Sequence, residues 1–218
     1  MSTEFLAAVR AVLTPLADAA RAVGMAAYMK DRFPFLGVQT PARRGAVKPL
    51  IKAFRGDALE AAQLLWREAE REYQYVACDL LRSKAASLTA ADLPALEALV
   101  VEKSWWDSVD SLVPSIGALV LREPGLVARM DELVRAENLW LRRVALLYQL
   151  GWKAETDRER LFGYCLACAP ESEFFIRKAI GWALRQYART EPEAVREFLR
   201  ANAGVLSPLS QREAGKHL

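Results

Sequence analysis

Apolar residues recur at helical spacing in segments of about 12 to 18 residues, separated by short breaks that carry Pro, Gly, Ser, Thr or Asn. The first two segments cover residues 4–22 and 25–33, with Pro34 ending the second. Gly37-Val38-Gln39-Thr40 then turns into a helix opened by Pro41, for which Thr40 suits the N-cap and proline the first helical position. Helices are next predicted over 57–70, 72–83 and 90–102, the last begun by Thr89 with Asp92 three residues on as a capping box. The series continues over 105–122, 124–136, 139–151, 157–167, 173–188 and 192–201. Each pair of helices takes about 33 to 45 residues, the period at which HEAT and armadillo repeats stack into a curved α-solenoid. The concave face of such a stack can present residues from distant repeats to one long ligand. No long linker interrupts the series, so residues 1–218 are read as a single all-α domain.

Composition agrees with this pattern. Ala and Leu far outnumber Val and Ile, a balance that favours helices over strands. With 26% charged and 53% apolar residues the chain reads as an ordinary globular protein, neither disordered nor membrane-embedded. No apolar run approaches the roughly 20 residues of a bilayer span. Met1-Ser2-Thr3-Glu4 has neither the basic nor the apolar region of a signal peptide, so a cytoplasmic protein with reduced cysteines is expected.

The net charge of +3 conceals two basic windows. Residues 30–55 hold seven bases (Lys30, Arg32, Arg43, Arg44, Lys48, Lys52, Arg55) against Asp31 alone, and residues 177–189 hold four bases and no acid. Such windows suit a polyanion, although solvated helix faces look the same in sequence. The helix opened by Pro41 combines Arg43, Arg44, Lys48 and Lys52 with the N–H donors of its positive end, a good arrangement for phosphate.

Several chemistries are excluded. The lone histidine, His217, stands next to the C-terminal residue, so a histidine triad, a His-rich zinc site or an imidazole shuttle is not expected. Cys165 and Cys168 form a CxxC inside an apolar stretch without a second pair at ligand spacing, and are read as packing thiols. No glycine-rich phosphate loop occurs, so neither metal nor nucleotide cofactor is expected.

The most unusual local sequence is Lys103-Ser104-Trp105-Trp106-Asp107-Ser108-Val109-Asp110. Ser104 and Asp107 form a capping-box pattern that starts a helix at Trp105. Trp106 and Asp110 then stand at i and i+4, an indole and a carboxylate on one face. Pro114, four residues beyond Asp110, removes the N–H that would bond the Asp110 carbonyl and predicts a kink there. Alternatively Trp105 or Trp106 packs in the core and the two aspartates are solvated. Trp66, Trp140 and Trp152 are assigned to helix packing.

The string KSWWDSVDSLVP, followed by Asn138-Leu139-Trp140-Leu141-Arg142-Arg143, by Glu173-Phe174-Phe175-Ile176-Arg177-Lys178-Ala179-Ile180-Gly181-Trp182 and by Leu209-Ser210-Gln211-Arg212-Glu213-Ala214, resembles the AlkD-type DNA alkylation repair glycosylases. Ala27-Tyr28-Met29-Lys30 and residues 35–41 match as well, so the resemblance covers nearly the whole chain. It implies a right-handed stack of HEAT-like repeats holding duplex DNA in a basic concave face. It further implies excision of N3- and N7-alkylated purines such as 3-methyladenine and 7-methylguanine. Carried over, the catalytic aspartate falls on Asp110, the active-site tryptophans on Trp106 and Trp182, and the key arginine on Arg143. Tyr28 matches an aromatic lining the same cleft, and Gln39, Thr40 and Arg44, with Lys48 on the same helix, match the DNA-contacting loop and helix. Arg142 replaces an uncharged polar residue, a change expected to affect DNA affinity.

These expectations fit the residues. Asp110 and Arg143 are 33 positions apart, and Arg143 and Trp182 are 39 apart, each about one repeat. A leaving base that is already cationic needs no general acid, which suits a site without histidine. Asp110 would stabilise an oxocarbenium-like transition state and orient water, Trp106 and Trp182 would meet the sugar, and Arg143 would clamp a phosphate. No lysine is placed for a Schiff base, so a monofunctional, monomeric base-excision glycosylase is expected, without a deep base-flipping pocket and nucleoid-associated when on DNA. The alternative is a non-catalytic HEAT-like scaffold that binds structured DNA or a protein partner.

Overall fold

The computed structural model describes the backbone of residues 1–218 and every side chain except that of His217. Among the described residues there are thirteen α-helices and no strand, the all-α class that the periodicity predicts. Met1–Leu88 and Thr89–Leu218 form two compact units.

The first unit contains α1 (Ser2–Leu13), α2 (Ala19–Tyr28), α3 (Thr40–Ala53), α4 (Ala58–Arg67) and α5 (Arg71–Ser83). The continuous helix expected over 4–22 is two helices. α1 gives way to a 3-10 turn at Thr14–Leu16 that contains Pro15, and Asp18 then caps α2 by accepting the N–H of Arg21. α2 stops at Tyr28 because Lys30 and Asp31 adopt left-handed backbone, with φ of 60° and 54°. α1 packs on α3 and α4, and α5 packs on α3 and α4. The faces that meet carry Val9, Leu13, Val47, Ala61, Ala62, Leu65, Val76, Ala77 and Leu80, all essentially buried, and Trp66 is buried at the end of α4.

The loop before α3 is held by side chains of α5. Fully buried Glu72 accepts the N–H groups of Leu36, Gly37 and Val38, each at 2.9 Å. Beside it the Arg71 N–H donates to Pro34 O, and the Arg71 guanidinium lies 3.8 Å from the Phe33 ring centroid. Gln39 takes the N-cap position of α3 in place of Thr40, and no side chain caps that helix.

The second unit contains α6 (Leu93–Val101), α7 (Trp106–Arg122), α8 (Val127–Leu133), α9 (Leu139–Leu147), α10 (Arg158–Ala167), α11 (Phe174–Tyr187), α12 (Pro192–Ala201) and α13 (Pro208–Ala214). Alternate helices touch in sequence: α7 packs on α9, α9 on α11 and α11 on α13. Their partners flank this row, α6 beside α7, α8 beside α9, and both α10 and α12 beside α11. The Thr89–Asp92 capping box forms, with Asp92 accepting the Thr89 N–H at 2.7 Å. The one expected at Ser104 does not. Ser104 Oγ turns back to Val101 O at 2.7 Å, and α7 begins at Trp106 with Trp105 extended ahead of it. α7 continues through Pro114 to Arg122 with Pro114 exposed, so the missing N–H falls on the solvent side of the helix.

Two glycines set how closely the alternate helices approach. A Cβ on Gly117 of α7 would lie 2.1 Å from the Tyr148 carbonyl oxygen, just beyond α9. The Gly117 carbonyl in turn accepts Trp152 Nε1 at 3.2 Å. A Cβ on Gly181 of α11 would lie 2.4 Å from Glu213 Cβ and 2.9 Å from Ser210 O of α13. α13, which the periodicity left unassigned, is fastened there by polar groups. Ser210 Oγ donates to Arg177 O at 2.9 Å. The buried Glu213 carboxylate pairs with Lys178 and Arg185 at 3.0 Å and with Lys216 at 2.9 Å. Hydrogen bonds from Lys216 and Lys178 hold Glu213 well below the glutamate range, at about 2.

Gly117→Ala is expected to lower stability by about 1 to 3 kcal/mol in urea unfolding, because backbone rather than a flexible side chain must move. Gly163→Ala on α10, where a Cβ meets open space, is the control that leaves stability unchanged or slightly raised. Glu213 binds protons less readily folded than unfolded, so its contribution is complete above about pH 4.5 and disappears as pH falls toward 2. Melting temperatures of wild type and Glu213→Gln should therefore differ near neutrality and converge in that acidic window.

Candidate functional site

The second unit brings Asp110, on α7, to Arg143, on α9. Arg143 Nε donates to Asp110 Oδ1 at 2.7 Å and Nη2 to Oδ2 at 2.8 Å, a parallel two-bond pairing. Nη1 donates to the carbonyl of Phe175, in the first turn of α11. The Arg143 side chain is 5% exposed and that of Asp110 17%, so the aspartate is the more exposed member of the pair. Burial raises the Asp110 carboxyl above the ordinary aspartate range, Arg143 pulls it back, and Asp107 one turn earlier adds to the rise.

Trp106 lies one helical turn before Asp110 on α7 and is half-buried. Trp182 is also half-buried and stands on α11 two turns beyond Phe175, on the same side of the helix. Trp66 and Trp140 are buried, and Trp152 stacks edge-on against Tyr148 at 5.1 Å, which agrees with packing roles for these three.

Arg143 does not lie on the surface as the expected phosphate clamp. Its donors are turned inward to Asp110 and Phe175, so it holds the carboxylate instead. Arg142, expected at DNA, spends four hydrogen bonds inside the protein. Two go to Glu171, at 2.9 and 2.7 Å, and two to the carbonyls of Ala136 and Glu137, at 2.6 and 2.7 Å. The second basic window is largely consumed in the same way. Lys178 and Arg185 pair with Glu213, and Arg177 Nε donates to Glu171 O at 2.8 Å.

The first unit carries the other candidates. Tyr28, Gln39, Thr40, Arg44 and Lys48 are all exposed, at the end of α2, in the loop held by Glu72 and on α3. Arg43 is buried against the Tyr75 ring and shares Asp79 with Arg44, at 3.2 and 3.1 Å. Arg44, Lys48 and Lys52 line a groove between α3 and α5 together with Asp79, Ser83 and Lys84.

Sequence reading missed Asp79, Glu171, Glu213 and the role of Phe175. It also missed a cluster beside the ion pair in which the Trp105, Trp140 and Phe175 rings meet at centroid distances of 5.0 to 5.7 Å. The repeated Phe174-Phe175 following Glu173 was its only local signal. Cys165 and Cys168 are buried, and desolvation raises both thiols, Cys168 to about 12, so neither is poised as a thiolate. Among the described residues no cluster of His, Cys, Asp and Glu could hold a metal ion, and no single helix is long and apolar enough to cross a membrane.

The arrangement offers a fixed carboxylate with an indole one turn away on the same helix. Comparison with known proteins points in one direction. A solved structure described as a predicted DNA alkylation repair enzyme from Enterococcus faecalis matches with a TM-score of 0.82 and 37% sequence identity, over 93% of this chain and 96% of that one. No curated protein matches the sequence. The family model for DNA alkylation repair enzymes matches residues 9–218, nearly the full length. The chain therefore belongs to the DNA alkylation repair enzyme family, and the carboxylate on α7 belongs to a DNA repair protein.

Proposed function

We propose that this protein is a monofunctional DNA glycosylase that hydrolyses the N-glycosidic bond of cationic N3- and N7-alkylated purines in duplex DNA, leaving an abasic site. The observation that carries the reading is Asp110, whose two oxygens are oriented by one buried guanidinium while its side chain retains 17% exposure.

An N3- or N7-alkylated purine is already a good leaving group, so it departs without protonation. As the bond lengthens, positive charge develops on the deoxyribose, and a preorganised carboxylate stabilises it. Asp110 supplies the stabilising negative charge and accepts a hydrogen bond from the attacking water. Trp106 and Trp182 offer indole faces to the cationic sugar, worth about 0.5 to 2 kcal/mol each. Arg143 acts on the carboxylate rather than on the DNA, because its planar fork leaves Asp110 one orientation. The bond broken is weak in the lesion itself, so selection needs no deep pocket around the base. Neither metal nor cofactor enters the scheme. The exposed Tyr28, Gln39, Thr40, Arg44 and Lys48 of the first unit supply contacts to the DNA.

Purified protein should release 3-methyladenine or 7-methylguanine from methylated duplex DNA in the presence of a chelator; no release above the uncatalysed rate refutes the reading. Asp110→Asn should lower excision by about a hundredfold or more while duplex binding persists, the loss typical of one preorganised charge partner. That variant also leaves Arg143 buried without its counter-charge, so melting curves must accompany it. Excision requires ionised Asp110 and should fall as pH is lowered, with a midpoint above an ordinary aspartate's 3.8. Duplex affinity should fall steeply with salt, and Lys48→Ala should reduce the logarithmic salt slope by about one.

A further inference from the structure

Arg142 and Glu171 form a second ion pair between α9 and the segment leading into α11, directly beside the first. The pair is bidentate and mostly withdrawn from water, with side-chain exposures of 17% and 22%. It therefore holds geometry better than a solvated surface pair. Arg142 Nη1 also ties the turn before α9 through the Ala136 and Glu137 carbonyls. The Glu171 carbonyl accepts Arg177 Nε from within α11 at 2.8 Å. Glu171 thus joins α9 through its carboxylate and α11 through its backbone, four residues before the Phe175 carbonyl on which Arg143 rests.

We propose that Glu171 is a positioning residue for excision: by gripping Arg142 it fixes the first turn of α11 against α9, which places the Phe175 carbonyl, sets the plane of the Arg143 guanidinium and so aims the Asp110 carboxylate. Neighbouring arginines on α9 hold points four residues apart on the following segment, Glu171 and Phe175. A guanidinium is a rigid planar fork, so displacement of the carbonyl it donates to turns the whole group. Asp110, bound at both oxygens, turns with it. The resemblance expects an uncharged polar residue at position 142. Here an arginine and a carboxylate from the next segment make a brace that such a residue could not form. The charged groups facing Asp110 are Arg143 from α9 and Asp107 from its own helix; α6 has only Glu97, which pairs with Arg129.

The inference rests on the glycosylase reading, and its test keeps the two apart. Glu171→Gln, Arg142→Ala and the double variant are compared with wild type on methylated duplex by single-turnover excision, duplex affinity and pH dependence. Expected is a fall of about tenfold in the excision step for each single variant, with affinity unchanged. The double variant should be no slower than either single one, and the pH midpoint should move upward as the Arg143 hold on Asp110 loosens. Unchanged excision and pH midpoint with only a lower melting temperature would overturn the proposal, leaving Glu171 a structural brace. Weaker duplex binding by Arg142→Ala with an unchanged excision step would also overturn it, making Arg142 a phosphate contact. If wild type excises nothing, the glycosylase reading fails and the positioning claim is decided by NMR titration of the Asp110 carboxyl in wild type and Glu171→Gln. An upward shift in the variant supports positioning, and coincident titrations refute it.

Discussion

A guanidinium placed almost wholly out of water must have its charge and its N–H groups answered, and in the second unit that demand falls on three helices at once. Arg143 comes from α9, the compensating carboxylate from α7 and a backbone acceptor from α11. Removing one partner from such an arrangement costs about 3 to 5 kcal/mol, because the charge that remains is buried and alone. The registers of α7, α9 and α11 are therefore linked, and none slides without breaking a bond to Arg143. The close approach at Gly117 serves the same end, since it lets the end of α9 settle against α7 with backbone almost touching backbone.

Charge is used differently in the two units. In the first, Arg44 and Lys48 remain exposed, although Asp79 takes part of the charge of Arg44. In the second, Lys178 and Arg185 of the window over 177–189 pair with Glu213, and Arg177 donates to the Glu171 backbone carbonyl. The two looked alike in sequence because the acid that neutralises the second, Glu213, lies outside it, 24 residues beyond its end. A local charge sum describes a surface only where no distant element folds over it.

The same distinction separates what the sequence revealed from what it concealed. Features with a local cause were legible: the helices, the Thr89–Asp92 box, and Trp106 and Asp110 one turn apart on α7. The start of α7 was displaced by one residue because Ser104 found the carbonyl of Val101, closing the helix before it instead of capping the helix after. The division of residues 4–22 was written in Pro15 and Asp18, whose breaking and capping tendencies outweighed a continuous apolar pattern. The later-repeat partners of Arg142 and Arg143 were not legible at all. Glu171 and Phe175 come from a later repeat, and only packing of α9 on α11 decides which of two adjacent arginines meets a carboxylate and which a carbonyl.

Glu72 has a bearing on recognition as well as on folding. By taking three consecutive N–H groups of the loop that leads to Gln39 and Thr40, it removes the loop's freedom before any ligand arrives. Ordering a flexible segment of that size on binding would consume about 1 to 2 kcal/mol for each residue. That entropy has already been surrendered when the chain folds, set against burial of the carboxylate. Any ligand that met this edge would find the loop already ordered, and none of its affinity would go into stiffening that backbone.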